Sequence, residues 1–217
     1  MGSINKIVVL YGGSSSEREI SLQSGLGVHK AILDLGYKSD LIDYSDLKDI
    51  RLLKKCDFVF IALHGFEGES GELQRRLDHL NIRYSGSGFD SCRNTWSKLV
   101  TKRILRDKDI STPFFKPINK DEHGIYVNDL KGKRYLSDIN SNKSEYEQIF
   151  SRNILSSFGT MFLKPDADGS SVDIHKIYQE EEIALALKNA SNSDRNFFIE
   201  EGISGREFTV TIIDDEC

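Results

Sequence analysis

The sequence predicts an α/β fold whose first part is a parallel sheet with helices on both faces. Two observations carry this. Lys6 to Tyr11 and Asp57 to Leu63 are near-continuous apolar runs of the kind buried on both sides of a sheet. Each run leads through a glycine-bearing turn into a helical pattern, and strands alternating with helices place the useful loops at the carboxyl ends of the strands.

The elements follow in order. The strand Lys6 to Tyr11 ends at Gly12-Gly13. A helix then shows Ile20, Val28, Ile32 and Leu35 at helical spacing, and Gly36 stops it. Lys38 to Asp43 reads as a second strand, and Asp57 to Leu63 as a third that ends at His64-Gly65. Glu72 to Leu80 is a helix, and Ile82 to Tyr84 a short fourth strand closed by Ser85-Gly-Ser-Gly88. One helix is expected to run through Trp96, Lys98, Leu99, Lys102 and Leu105 and to end before Pro113. Phe114 to Lys116 is a strand candidate, and the polar stretch Asn119 to Ser144 reads as a loop or weak hairpin. A helix around Tyr146 to Phe158 precedes a strand, Thr160 to Lys164, and the turn Pro165 to Ser171 leads to a partner strand within Val172 to Ile177. A helix over Glu180 to Ala190, a strand over Phe197 to Glu200 and a last strand over Glu207 to Ile213 complete the reading. Domains are expected at 1–95, 96–200 and 201–217.

Bulk properties exclude several classes. The chain has 217 residues, 29 Lys plus Arg, 34 Asp plus Glu and a net charge of -5, which gives no generic attraction to nucleic acid or to an acidic membrane. No apolar run reaches the length of a membrane span, and no cleavable leader follows the start, so a cytoplasmic protein is expected. Cys56, Cys92 and Cys217 are isolated and read as thiols in a reducing compartment.

Four constellations could carry chemistry. Gly12-Gly-Ser-Ser-Ser-Glu17 lacks both the dinucleotide spacing and a Gly-Lys-Ser/Thr ending. Glu17 either caps the following helix or pairs with a substrate ammonium group. His64-Gly-Phe-Glu67-Gly-Glu69 ends another central strand, where it is either ordinary turn chemistry or a loop that orients a ligand. Metal binding by His64, Glu67 and Glu69 lacks a second imidazole or thiolate at a ligand spacing. Lys164, followed by Asp168-Gly-Ser-Ser171, offers a positive charge beside a flexible donor-rich loop, as phosphate binding requires, or else an edge lysine on a hairpin. Lys98 adds a second positive charge. Finally, Phe197 to Glu207 joins an apolar strand to a bend with spaced carboxylates, suited to adenine and ribose or to a solvated hairpin.

In combination these segments resemble one family. Gly12 to Gly25, His64-Gly65, Tyr84 to Gly88, Lys164-Pro165 with Gly169-Ser-Ser-Val172, and Glu200 to Val210 are similar, in that order, to the D-alanine–D-alanine ligases. The resemblance implies an N-terminal Rossmann-like domain followed by part of an ATP-grasp domain. It also implies ATP-dependent joining of two D-alanines through a D-alanyl phosphate, for peptidoglycan precursor synthesis. By motif position it implies that Glu17 holds the ammonium of the first D-alanine, that Ser170 organises that end, and that His64 supports placement or proton handling. Lys98 and Lys164 would contact ATP phosphates, with Gly169, Ser170 and Ser171 in the loop Asp168 to Val172 that closes over them. Glu200 and the backbone of Glu201 and Ile203 would receive adenine, and Glu207 the ribose.

The same resemblance places a tyrosine loop, an oxyanion-binding arginine and the ligands for Mg2+ or Mn2+ beyond the strand that ends this sequence, so the 217 residues alone are expected to be inactive or nearly so. No residue here is assigned to the metal. Asp173 stands where the family commonly has glycine, and a homodimer is implied. Two alternatives stay open: a catalytically incomplete nucleotide-binding or assembly protein, and a sister ligase using D-lactate or D-serine.

Overall fold

The structure is a computed structural model that describes residues 4–122, 124–129, 132–138, 159–169 and 173–212, with the backbone alone at 129, 132–138, 180, 181 and 184. The chain divides into two compact units, Met1–Ile110 with Asp166–Val172, and Ser111–Pro165 with Asp173–Cys217. The fold is α/β: a parallel sheet in the first unit and a mixed sheet-and-helix region of ATP-grasp topology in the second.

In the first unit β1 (Lys6–Tyr11) lies between β2 (Lys38–Asp43) and β3 (Phe58–Ile61), parallel to both. Its apolar run serves two faces, as the alternation of strand side chains requires. Val8 and Leu10 pack with Leu53, Val59, Leu73 and Leu77 on one side, while Val9 packs with Ile32 and Ala62 on the other. The helix α1 (Arg18–Asp34) covers the Val9 face and stops as expected, with Gly36 in the left-handed region at φ +85°. Gly25 on α1 allows close approach to β1: a Cβ there would lie 2.3 Å from the Tyr11 Cβ.

Beyond β3 come the short α2 (Phe66–Glu69) and α3 (Glu72–His79). The expected fourth strand is reduced to a single parallel bridge between Val59 and Tyr84. Between Asn81, which turns at φ +55°, and Gly86, at φ +88°, the chain has room for little more. The single helix expected through Trp96 and Lys98 is two, α4 (Phe89–Trp96) and α5 (Lys98–Asp107). Ser97 breaks them: its backbone is extended at φ −88°, ψ 113°, and its hydroxyl accepts from the Val100 amide as the N-cap of α5.

The second unit holds a six-stranded antiparallel sheet. Its strands are β4 (Phe115–Asp121), β5 (Gly124–Asp129), β6 (Gly132–Asp138), β7 (Met161–Pro165), β8 (His175–Ile177) and β9 (Phe197–Glu201), in the order β6-β5-β4-β9-β7-β8. The stretch read as a loop or weak hairpin is thus a β5–β6 hairpin in this sheet, and its 139–144 part lies outside the described residues, as does the helix expected at 146–158. The helix α6 (Glu180–Ser191) presents Ile183, Ala186, Leu187 and Ala190 to Ile118, Ile125, Met161, Leu163, Ile177, Phe197 and Ile199.

The strand expected over Glu207 to Ile213 is not formed among the described residues. Residues 202–212 carry no ladder, and Phe208, Val210 and Ile212 are 76%, 70% and 67% exposed. The period-two pattern is present, yet a strand also needs a neighbour for its amides and carbonyls, and none of the described residues supplies one.

Gly25→Ala tests the α1–β1 contact. Overpacking against Tyr11 should destabilise the first unit by about 1–3 kcal/mol, read as a lower urea midpoint at unchanged slope.

Candidate functional site

The turn after β1 frames the candidate residues of the first unit. Gly12 and Gly13 sit at φ +72° and +74°, in the region that favours glycine. Because β1 is the middle strand, the turn is flanked by the chain leaving β2 and the chain leaving β3, and each supplies a carboxylate. On one flank Asp43 Oδ1 accepts from the Gly13 amide at 3.1 Å, and Asp43 Oδ2 accepts from Arg18 at 2.6 Å. Arg18 also donates to the Gly13 carbonyl at 2.6 Å. On the other flank Glu67 accepts from the Ser14 amide at 2.7 Å and from the Ser14 hydroxyl at 2.9 Å. A phosphate-binding turn must offer its N–H groups to the ligand; here two consecutive ones are already engaged by carboxylates. The Arg18 guanidinium, opposed by burial and helped by the Ser45 and Gly13 amides, holds the Asp43 carboxyl down to about 2.

Glu17 and His64 are brought together beside this turn. Glu17 occupies the N-cap position of α1 but makes no side-chain capping bond, so the capping reading does not hold. Its carboxylate instead lies against two glycines: a Cβ on Gly65 would stand 3.2 Å, and one on Gly169 3.0 Å, from Glu17 Oε2. The Ser15 hydroxyl accepts from the Glu17 amide at 3.2 Å and donates to the His64 carbonyl at 3.1 Å, which ties the two loops together. The His64 ring has Nε2 3.3 Å from the Ser24 hydroxyl and Nδ1 3.7 Å from Glu69 Oε1.

Lys98, the first residue of α5, belongs to the same unit. Its Nζ donates to the Asp168 carbonyl at 2.7 Å, one residue before Gly169. Asp166 secures this arrangement, since its carboxylate accepts from the Leu99 amide at 2.8 Å and from the Ser97 hydroxyl at 2.9 Å. Sequence reasoning assigned no role to Asp166, because the amide it meets in the first turn of a helix, that of Leu99, lies 67 residues away from it in the chain. Ser170 and Ser171 lie outside the described residues.

Of the nucleotide candidates of the second unit, Lys164 and Glu200 share one face of its sheet. Met161, Leu163 and Pro165 of β7 point into the core, which leaves Phe162 and Lys164 on the opposite face. In register with them on β9 stand Glu200 and Phe198. Lys164 is ion-paired to Glu200, which is only 6% exposed, and its Nζ lies 4.8 Å from the centre of the Phe162 ring. Lys176 on β8, which sequence reasoning passed over, pairs with Phe162 and lies 5.7 Å from the same ring; alternation along β8 was the available signal. The Glu201 amide is engaged by the Phe114 carbonyl at 2.9 Å. Ile203, 65% exposed, and the exposed Glu207 lie on the unladdered segment, away from any strand register with Lys164.

A face combining cations, aromatic rings and a buried carboxylate fits an adenine nucleotide: cations for phosphate, rings for the base, and an acceptor for its amino group. Metal ligands are not assigned, since among the described residues no group of three or more His, Cys, Asp or Glu gathers. Of the three residues weighed for a metal, Glu67 is engaged with Ser14 instead.

The Asp43 clamp makes a pH prediction. A carboxyl held below its unfolded value of about 4 stabilises the fold above that pH and loses this contribution as pH falls towards its folded value. Wild type should therefore melt higher than Asp43→Asn at neutral pH, with the gap closing between about pH 4 and 2, followed by thermal melts across that range.

Comparison with known proteins agrees with the resemblance. The family described as D-ala D-ala ligase C-terminus matches residues 126–217. The D-alanine–D-alanine ligase of Bordetella avium is 35% identical over 210 residues, which is 96% of this chain and 58% of that protein. That of Alcanivorax borkumensis is 32% identical over 217 residues, 100% of this chain and 60% of the relative. The crystal structure of the Bacillus anthracis ligase complexed with ATP superposes with a TM-score of 0.68 at 28% identity, covering 94% of this chain and 60% of that one. The chain thus spans less than two thirds of the length of the relatives it matches. Over nearly its whole length the chain is homologous to the D-alanine–D-alanine ligases, which are of the ATP-grasp kind.

Proposed function

We propose that the intact protein joins two D-alanines at the expense of ATP, in the cytoplasm and for peptidoglycan precursor synthesis. The observation that carries this reading is the carboxylate-clamped turn after β1. Two of its consecutive amides are engaged by carboxylates rather than offered to phosphate, and the Glu17 carboxylate lies beside it against Gly65 and Gly169, where negative charge suits an ammonium group. Homology to that family favours the same activity.

In this proposal Glu17 binds the ammonium of the first D-alanine, with Ser170 organising that end and His64 supporting placement or proton handling. Lys98 and Lys164 contact the phosphates of ATP, together with Gly169, Ser170 and Ser171. Glu200, Glu201 and Ile203 receive adenine, and Glu207 the ribose. Phosphorylation of the first carboxylate converts a poor leaving oxygen into a good one, and the uncharged amine of the second amino acid then attacks that carbon. Mg2+ or Mn2+, when bound, would supply charge compensation at the phosphates. A homodimer belongs to the same proposal.

The test is D-alanine-dependent ADP release by the intact protein. Lys164→Ala should lower kcat/KM about 100-fold or more, the scale of losing one charged contact to a developing anion. Glu17→Gln should raise KM for D-alanine and leave KM for ATP in place. Wild-type protein that releases no ADP in response to D-alanine would overturn the reading.

A further inference from the structure

We propose that Glu67 is a positioning residue for recognition of the first amino acid: by holding Ser14 through both carboxylate oxygens it fixes the turn from which Glu17 is presented. This rests on the ligase reading above and adds to it a residue with no role there.

Glu67 is occupied rather than offered. Oε2 accepts from the Ser14 amide at 2.7 Å and Oε1 from the Ser14 hydroxyl at 2.9 Å. The fit is close, since a Cβ on Gly13 would stand 2.1 Å from Glu67 Oε2. A two-point, charge-assisted bond of this kind sets direction as well as distance.

The backbone bearing Glu67 is itself anchored on both sides. Before it, Phe66 meets the Trp96 ring edge-on with centroids 5.9 Å apart. After it, Gly68 is packed so tightly beneath β3 that a Cβ would lie 2.3 Å from the Leu63 carbonyl oxygen. The Gly68 carbonyl also accepts from the side chain of Gln74, 3% exposed, at 2.7 Å. Glu67 therefore grips Ser14 from a fixed base.

The two clamps on the turn differ in what they join. Asp43 binds Gly13 and Arg18, both within the turn and the start of α1. Glu67 joins the turn to the loop after β3, the loop that carries His64. Ser15 adds a second tie between the same loops, from its hydroxyl to the His64 carbonyl, and accepts from the Glu17 amide. Without Glu67 the Asp43–Arg18 clamp still closes the turn, but the registration of Glu17 against His64 is left to hydroxyl bonds alone, from Ser15 to the His64 carbonyl, from Ser21 to the Ala62 carbonyl and between Ser24 and the His64 ring. The expected consequence falls on amino-group recognition rather than on folding or on ATP.

The test uses the intact protein, D-alanine and ATP, with initial rates of ADP release. Glu67→Gln removes the negative charge and leaves a single acceptor oxygen for the two Ser14 donors. It should raise KM for D-alanine about tenfold, the size of one charge-assisted hydrogen bond, with KM for ATP unmoved. Ser14→Ala, which keeps the amide bond and loses the hydroxyl, should raise it by roughly threefold, and Ser14→Thr should restore the wild-type value. Amide hydrogen exchange at residues 13–17 should quicken in Glu67→Gln. An unchanged KM for D-alanine in Glu67→Gln overturns the proposal, as does a rise shared equally with ATP. Should Glu67→Gln fail to fold, a wild-type KM in Ser14→Ala overturns it. If wild type itself gives no D-alanine-dependent ADP release, the ligase reading fails first and the positioning role falls with it. That outcome is distinct because it appears before any substitution is made.

Discussion

The candidate site of the first unit depends on two carboxylates closing on one turn from opposite sides. The arrangement follows from topology: a strand in the middle of a parallel sheet ends between the two chains that leave its neighbours, so residues distant in sequence arrive at its carboxyl end together. Asp43 and Glu67 reach the turn by this route, and Arg18 balances the first of them. With consecutive amides engaged, the usual preference of a glycine turn before a helix for anions is cancelled. Beside it stands a third carboxylate, that of Glu17, packed against Gly65 and Gly169.

Much of this was legible in the sequence, for reasons that differ by element. The strands β1 and β9 announce themselves because both of their faces are buried, so composition alone marks them. The helix α6 shows its face through Ile183 and Leu187 at helical spacing, and Gly36 gives the stop of α1. Ser97 was harder. Trp96, Leu99 and Leu105 keep a helical spacing across a residue whose side chain stops one helix and starts the next, and its other partner is Asp166, 69 residues away. A local pattern carries no trace of such a partner. The last strand shows the opposite failure, in which Phe208, Val210 and Ile212 have the period of a strand but lack a neighbour among the described residues.

The site divides along the same line. Glu17, His64 and Lys164 could be singled out as candidates because glycine turns and strand ends frame them, whereas the role of Lys98 came from the resemblance. Asp43 and Asp166 look like ordinary surface acids in the sequence, and Glu67 like a carboxylate offered to a ligand. They become meaningful through long-range hydrogen bonds to backbone amides, and only coordinates reveal those. Their common task is to fix backbone rather than to meet a ligand, and that task leaves no motif.

The ion pair of Lys164 and Glu200 has a consequence for selectivity. Lys164 is already matched by a carboxylate almost shut off from solvent, so an incoming anion competes with a partner in place. A bare polyphosphate that claimed Lys164 would strand Glu200 without compensation, and an uncompensated buried charge is costly. A molecule bringing negative charge at one end and N–H donors at the other satisfies both residues at once. In the proposed nucleotide role, the pair would reward the whole nucleotide over its phosphate tail.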